Sequence, residues 1–374
     1  MIKIILGGDI YPAGHVQTDF ITGNALNIFH DLLEEIIDSD LSIVNLECPL
    51  VSHISPIKKG RGAILQAKPD AIRGFIAAKW KVINLANNHS FDHGAQGLLE
   101  TIDIIKKAGL SFIGAGANIE EANMPFIKNI KGENIIVYAM AEREFSVADR
   151  KSPGANPLDL INFINTINKY KQFGIFIVLI HGGKEYYPYP TPEMIRRCHF
   201  MIDMGADAVI CSHTHCPLPW EIYSNKPIIY GLGNLIFESK NKMPDYWYKG
   251  YLAKLEIDNK SVIFKPIPYL QSMNFQGAKK MDIISEKIFI NELENRSAKL
   301  KNIDFIEKEW IKFSLQNKEK YLSALFGYNK VMMKIKKFLL PMLHSEEEIR
   351  RALLLVQCET HREVLETIFK QLKH

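Results

Sequence analysis

Through roughly the first 270 residues, short unbroken apolar runs alternate with stretches in which apolar residues recur every three or four positions. The unbroken runs predict strands at 2–8, 41–47 (LSIVNLE), 80–86, 134–140, 175–181 (IFIVLIH), 207–211 (DAVIC), 227–231 and 251–257. The helical spacing predicts helices over 24–38, 70–79 and 94–108. Strands apolar at every position suit a sheet covered on both faces, and their alternation with helices makes the chain α/β. The GAGA run at 114–117 reads as a small-residue turn before a helix rather than a dinucleotide fingerprint.

Beyond about residue 270 the pattern becomes long and Lys/Glu-rich with helical spacing, which divides the chain into an α/β region, 1–268, and a helical C-terminal region, 269–374. In that region Ser345 with Glu348, and Thr360 with Glu363, have the spacing of capping boxes and predict a helical hairpin. The run KVMMKIKKFLLPML has the form of a basic amphipathic helix. Such helices lie on membranes in some proteins, but more often pack their Met, Ile and Phe side on a neighbouring domain, and packing is the preferred reading here.

Composition narrows the function classes. Of 374 residues 47% are hydrophobic and 24% charged, enough for a large core, and a formal charge of +4 is too dilute for a nucleic-acid surface. The longest apolar run near the N-terminus, Ile4 to Leu6, is too short for a signal h-region or a membrane span, so the expected location is cytoplasmic. Five cysteines without a CxxC fit reduced thiols better than a disulfide framework. Cys198 and Cys358 read as small core residues, whereas Cys48, Cys211 and Cys216 lie beside candidate ligands.

The polar residues with chemistry gather where strands end. Asp9 follows the first strand, Glu47 ends the second, Asn87, Asn88 and His89 follow the third, His181 ends IFIVLIH, and His213 and His215 follow DAVIC. In open α/β sheets the carboxyl ends of the strands form the rim where ligands bind. Each of these residues alone is more often a cap, a turn former or a satisfied core group. Six potential ligands among the eight on one rim are a different matter. Two carboxylates, an amide oxygen and three imidazoles form a mixed O/N donor set suited to Mn, Fe or Zn, and too many donors for one four-coordinate ion. Two divalent ions sharing a carboxylate would use them. If extended, His213-Thr214-His215 presents both rings to one side. There is no Gly-x-Ser-x-Gly elbow and no P-loop lysine. His15, His30, His53, His199, His344, His361 and His374 have no rim position, and His93 is expected to be exposed.

The ordered motifs GGDIY, VNLECPL, INLANNHSFDHG, HGGKEYYP, GADAVICSHTHC and KPIIYGLGNLIF, over roughly residues 1–258, resemble the CapA family. This is the capsule poly-γ-glutamate biosynthesis group with a calcineurin-like metallophosphoesterase fold. The resemblance implies a layered αββα sandwich in which Glu47 bridges two divalent ions, Asp9 and His215 hold one, and Asn88, His181 and His213 hold the other. It makes His89 the acid or electrostatic stabiliser near the leaving group, with Asp92 orienting His89 or binding substrate. Asn87, Glu185, Tyr186 and Asn234 would support the site or line it, Glu185 and Tyr186 by fixing the tautomer of His181; a helix-starting charge is the plain alternative for Glu185. Three departures stand out: Asp9-Ile10-Tyr11 where metallophosphoesterases usually have Asp-x-His, HGG for HWG, and CSHTH for GHHPH. No N-terminal anchor of the kind many relatives carry is expected.

The implied function is metal-dependent hydrolysis, foremost by a dinuclear phosphoesterase linked to capsule, polysaccharide or poly-γ-glutamate metabolism. Its substrate would be an anionic small molecule or a glycan- or polymer-linked group. The alternatives are a γ-glutamyl amide hydrolase or transferase using the same metal site, and a non-catalytic component of capsule polymer assembly.

Overall fold

The structure is a computed structural model and describes residues 1–317 apart from 58–62, 145, 240 and 274, together with Ala352 and Val356. From the N-terminus, β1 (Ile2–Tyr11) is followed by α1 (Gln17–Thr22), α2 (Ala25–Phe29), α3 (Leu32–Ile37), β2 (Leu41–Leu46), α4 (Ile72–Ala77) and β3 (Val82–Asn84). Then come α5 (Gly94–Lys107), β4 (Ser111–Ile113), β5 (Ala115–Gly116), α6 (Ile119–Ala122), β6 (Phe126–Ile130), β7 (Glu133–Ala141) and β8 (Gly154–Ala155). Next are α7 (Leu160–Tyr170), β9 (Ile175–His181), α8 (Pro192–Asp203), β10 (Ala208–Ser212), β11 (Trp220–Tyr223) and β12 (Lys226–Ile229). The last are β13 (Asn234–Phe237), β14 (Lys249–Asp258), β15 (Ser261–Gln271), β16 (Ala278–Lys280), α9 (Ile283–Leu300) and α10 (Ile303–Gln316).

One sheet has the order β16-β15-β14-β1-β2-β3-β4, with β13 also on β1; the other has the order β11-β12-β10-β9-β7-β6. The continuous apolar strands are explained by burial on both faces, because successive side chains point to opposite sides. Ile4 and Leu6 of β1 and Ile43 of β2 share one core with Val137 and Ala139 of β7 and Ile177 and Leu179 of β9, between the sheets. The other parity, including Ile5, Val44 and Ile83, packs on Phe20, Phe29, Phe75 and Leu98 of α1, α2, α4 and α5. On the outer face of the second sheet, Tyr138 meets Phe163 of α7. The result is the expected four-layer αββα sandwich. Each fully buried aliphatic or aromatic side chain contributes about 1.5–3 kcal/mol, so these two-sided strands dominate the stability of the unit.

Several boundaries differ from the sequence reading. β1 continues through Asp9 to Tyr11 because its partner changes: β14 pairs antiparallel with Ile2–Leu6, and β13 pairs parallel with Asp9–Tyr11. Gly8 sits at the exchange, where a Cβ would lie 2.0 Å from the carbonyl oxygen of Gly233. The glycines therefore mark a close approach of two backbone segments rather than the end of a strand. The helix expected over 24–38 breaks at His30, whose φ is 43°, a turn that no glycine announces. The small-residue run after β4 forms β5, which pairs with β8, before α6 begins.

The boundary expected between 268 and 269 falls within β15; β16 and α9 continue the same compact unit, Met1–Ile306. Phe289 and Leu293 of α9 lie in the inter-sheet core. The second unit is Glu307–His374. Its basic run at 330–343 and most of the expected hairpin lie outside the described residues, of which Ala352 and Val356 are helical. Among the described residues no helix is long and apolar enough to cross a membrane.

Candidate metal centre

Strands β1 to β4 are parallel to one another, as are β7, β9, β10 and β12, so their carboxyl ends form rims. At these rims Asp9, Glu47, Asn88, His181, His213 and His215 are all buried. Asp9, Glu47 and His215 form one group of donors, and Glu47, His181 and His213 another, the donor atoms of each lying within 4.8 Å of one another. Glu47 belongs to both.

The second group also contains Asn88. His181 Nε2 lies 2.9 Å from Asn88 Oδ1, 3.1 Å from His213 Nδ1 and 3.7 Å from Glu47 Oε1. A ring nitrogen offers one proton or one lone pair, so it cannot satisfy three neighbours by hydrogen bonding. Such a convergence of lone pairs suits a cation. On the other side Glu47 Oε1 lies 3.7 Å from His215 Nε2.

Glu47 supplies the test of fit. Its side chain is fully buried, and neither carboxylate oxygen has a hydrogen-bond partner. A buried carboxylate without a partner costs several kcal/mol unless it neutralises or meets a cation. Burial, then the charges of Asp9, Glu185 and Asp92, push the Glu47 carboxyl well above its ordinary range. Burial also raises Asp9, against the opposing effect of His215. Burial, followed by the neighbouring imidazoles, holds His181 well below its ordinary value and takes His213 down to about 3. Near neutral pH these two rings offer lone pairs rather than charge, as ligands must.

These shifts predict how metal protection depends on pH. A carboxyl raised in the folded protein contributes stability that is complete below its unfolded value and lost as pH rises through the folded one. The lowered histidines act oppositely, their contribution being lost as pH falls toward about 3. The unfolded chain is common to loaded and metal-free protein, so the difference between their melting temperatures reports only protons displaced in the folded state. That difference is expected to widen as pH rises from the ordinary carboxylate value, because Asp9 and Glu47 must lose their protons to bind. Thermal melts with and without Mn²⁺ across pH test this; a constant difference would contradict it.

The carbonyls, amides and hydroxyls behind the donors fix their directions. Asn45 donates to Asp9 Oδ1 at 2.8 Å and accepts from Asn87 at 3.0 Å. Asn87 in turn accepts from the His89 amide at 3.1 Å. His181 Nδ1 lies 3.1 Å from Ser212 Oγ and 3.4 Å from the Asn45 amide nitrogen. His215 Nδ1 lies 2.8 Å from Asn234 Oδ1, at the start of β13. Acceptance from Nδ1 by Asn234 Oδ1 and Ser212 Oγ selects the tautomer that leaves the other ring nitrogen for a ligand role, whereas the Asn45 amide nitrogen can only donate and gives a hydrogen to Asp9 Oδ1. The backbone N–H of His213 donates to Asp9 Oδ2 at 3.1 Å.

His213-Thr214-His215 is not extended. β10 ends at Ser212, and His213 and His215 have φ of 95° and 53°. The two rings reach the site through a left-handed turn, a costly conformation for residues with a Cβ. Ser212 and Asn45, rather than Glu185 or Tyr186, touch His181. Tyr186 instead lies against His215 and Trp247, with ring centroids 6.0 and 6.1 Å away. Glu185 lies in a turn well before α8 and reaches the site through its charge on Glu47.

His89 Nδ1 lies 2.7 Å from Asp92 Oδ2, which also accepts from the Leu65 amide at 2.7 Å. His89 is close enough for its charge to bear on His181 and His213. Tyr11, standing where an imidazole is usual, is pushed up by burial and then by Cys48, with Asp92 adding to the rise. His93, expected to be exposed, is buried, and its Nδ1 accepts from the Ser55 amide at 2.9 Å. None of the described cysteines joins either donor group: Cys211 lies 3.9 Å from Cys198, and Cys216 bonds the Tyr187 carbonyl.

Asn45, Ser212 and Glu144, which accepts from Asn88 at 2.9 Å, were not singled out by the sequence reading. Arg296 of α9 was also missed. Its guanidinium donates to the carbonyls of Pro188 and Pro217 at 3.2 and 3.1 Å, tying together the loops that follow His181 and His215. Asn45 was the readable one, since it lies two residues before Glu47 on a fully buried strand, where a polar side chain calls for a partner.

The chain is 28% identical over 246 residues to a capsule biosynthesis protein CapA of Bacillus anthracis, an alignment covering 63% of this chain and 60% of that one. It is 28% identical over 212 residues to a probable polyglutamine synthesis accessory protein of Mycobacterium tuberculosis, covering 53% and 56%. It thus spans less than two thirds of the length of these curated relatives. Among solved structures, a novel phosphatase of Mycoplasma pneumoniae superposes with a TM-score of 0.46 at 17% identity, covering 72% of this chain and 93% of that one. Residues 3–239 match the model of the family described as bacterial capsule synthesis protein PGA_cap, and these include every donor of the two groups: the chain belongs to that family.

Proposed function

We propose that this chain is a metal-dependent hydrolase of phosphate esters holding two divalent ions, Mn, Fe or Zn. Asp9, Glu47 and His215 would hold one, and Glu47, Asn88, His181 and His213 the other. The observation that carries this reading is the Glu47 carboxylate, fully buried, without a hydrogen bond and common to both donor groups. When bound, such ions supply Lewis-acid polarisation of the ester and a nucleophile from water at neutral pH. The protein's own part is to hold the donors in place and to move a proton. His89, held at Nδ1 by Asp92, presents its other nitrogen to the departing oxygen. Family membership supports a substrate in capsule or poly-γ-glutamate metabolism, an anionic small molecule or a glycan- or polymer-linked group.

A second reading directs the same site at γ-glutamyl amide bonds, as hydrolase or transferase; the names of the relatives favour it. A panel of phosphate esters and γ-glutamyl amides, offered to stripped protein reloaded with Mn, Fe, Zn or Mg, separates the two. The expected result is turnover of a phosphate ester that chelation abolishes and metal restores. Turnover of amides alone would establish the second reading. No turnover of either class would leave a non-catalytic role in polymer assembly.

A further inference from the structure

The segment after β7 is stitched to two of the four stretches that carry the second donor group, at His181 and beside Asn88. The Glu142 amide donates to the His181 carbonyl at 2.9 Å, and Ser146 Oγ donates to the Asn87 carbonyl at 2.8 Å. Between these anchors Glu144 Oε2 accepts from Asn88 Nδ2 at 2.9 Å. A carboxylate oxygen accepts and does not donate, so this contact selects one of the two orientations of the Asn88 amide. The nitrogen faces Glu144, and the oxygen faces His181 Nε2 at 2.9 Å. With the amide turned over, its N–H groups would point where the proposed cation would lie, and the nitrogen has no lone pair to give.

We propose that Glu144 is a positioning residue for one metal site: it holds the Asn88 amide with its oxygen toward the cation bound by Glu47, His181 and His213. Glu144 thereby sets the affinity of that ion independently of the one held by Asp9 and His215. The inference rests on the two-ion reading given above.

Titration calorimetry of Mn²⁺ into the metal-stripped full chain tests it without recourse to activity. The wild-type chain is expected to bind two ions. Glu144→Gln introduces an amide that can donate as well as accept, so position 144 no longer selects the orientation of Asn88. One of the two ions should then bind about 10- to 100-fold more weakly, the usual effect of losing a partner behind a ligand, with the other unchanged. Adding Asn88→Asp to Glu144→Gln should restore the weakened site, since a carboxylate at position 88 presents an oxygen in either orientation and the amide at position 144 can donate to its second oxygen. Asn88→Asp alone, which faces two carboxylates toward each other, should bind less tightly than the double variant. Wild-type affinity for both ions in Glu144→Gln overturns the inference, as does a double variant no tighter than Glu144→Gln. A wild-type chain that binds no ion overturns the two-ion reading itself.

Discussion

Replacement of Glu47 by Ala is expected to empty both metal sites and reduce turnover by at least about 10³-fold, since metal charge stabilisation is worth several kcal/mol and each ~1.4 kcal/mol is tenfold. The reason is geometric. Every other donor belongs to one group, so its loss leaves the opposite group complete, whereas Glu47 is counted in both. A folding readout separates this effect from general damage. Glu47 is buried with no hydrogen bond, so its removal deletes an uncompensated group from the metal-free protein rather than breaking a contact. Metal-free Glu47→Ala should therefore melt no lower than metal-free wild type, while losing the rise in melting temperature that Mn²⁺ gives the wild-type chain. Elemental analysis that finds two ions per chain in the variant would refute the shared carboxylate.

The sheets and the polar residues that meet at the rim were legible in the sequence for related reasons. Strands buried on both faces write themselves as unbroken apolar runs, so IFIVLIH at Ile175–His181 was bounded to the residue. The polar residue that breaks such a run marks the rim. Less visible were features set by contacts distant in sequence. β1 reads as ending at Gly7-Gly8 because nothing local shows that β13, more than 220 residues on, pairs with Asp9–Tyr11. The left-handed turn through His213 and His215 was hidden because neither position carries the glycine or asparagine that usually signals one. Glu144 and Arg296 look like ordinary surface charges, and only the fold brings one to the Asn88 amide and the other to two loop carbonyls. Part of the chain past the matched family region thus has a structural role, since α9 fills the core between the sheets and braces the ligand loops.

His89→Ala should reduce turnover by about 10²- to 10⁴-fold while leaving two ions per chain, the range in which a positioned proton donor acts. His89 is outside both donor groups, and its Nδ1 is committed to Asp92 at 2.7 Å, so its loss takes no ligand from a metal. The size of the effect should depend on the substrate. A leaving oxygen of high basicity departs only when protonated, whereas a nitrophenolate departs unaided. The deficit of His89→Ala should therefore shrink as the leaving-group pKa falls across a series of phosphate monoesters. Asp92→Asn should show the same trend with a smaller amplitude, because an amide facing Nδ1 no longer stabilises the charged ring but leaves the ring in the site. A deficit uniform across the series would assign His89 to charge stabilisation on the oxygens that stay, and loss of an ion from His89→Ala would make it a ligand instead.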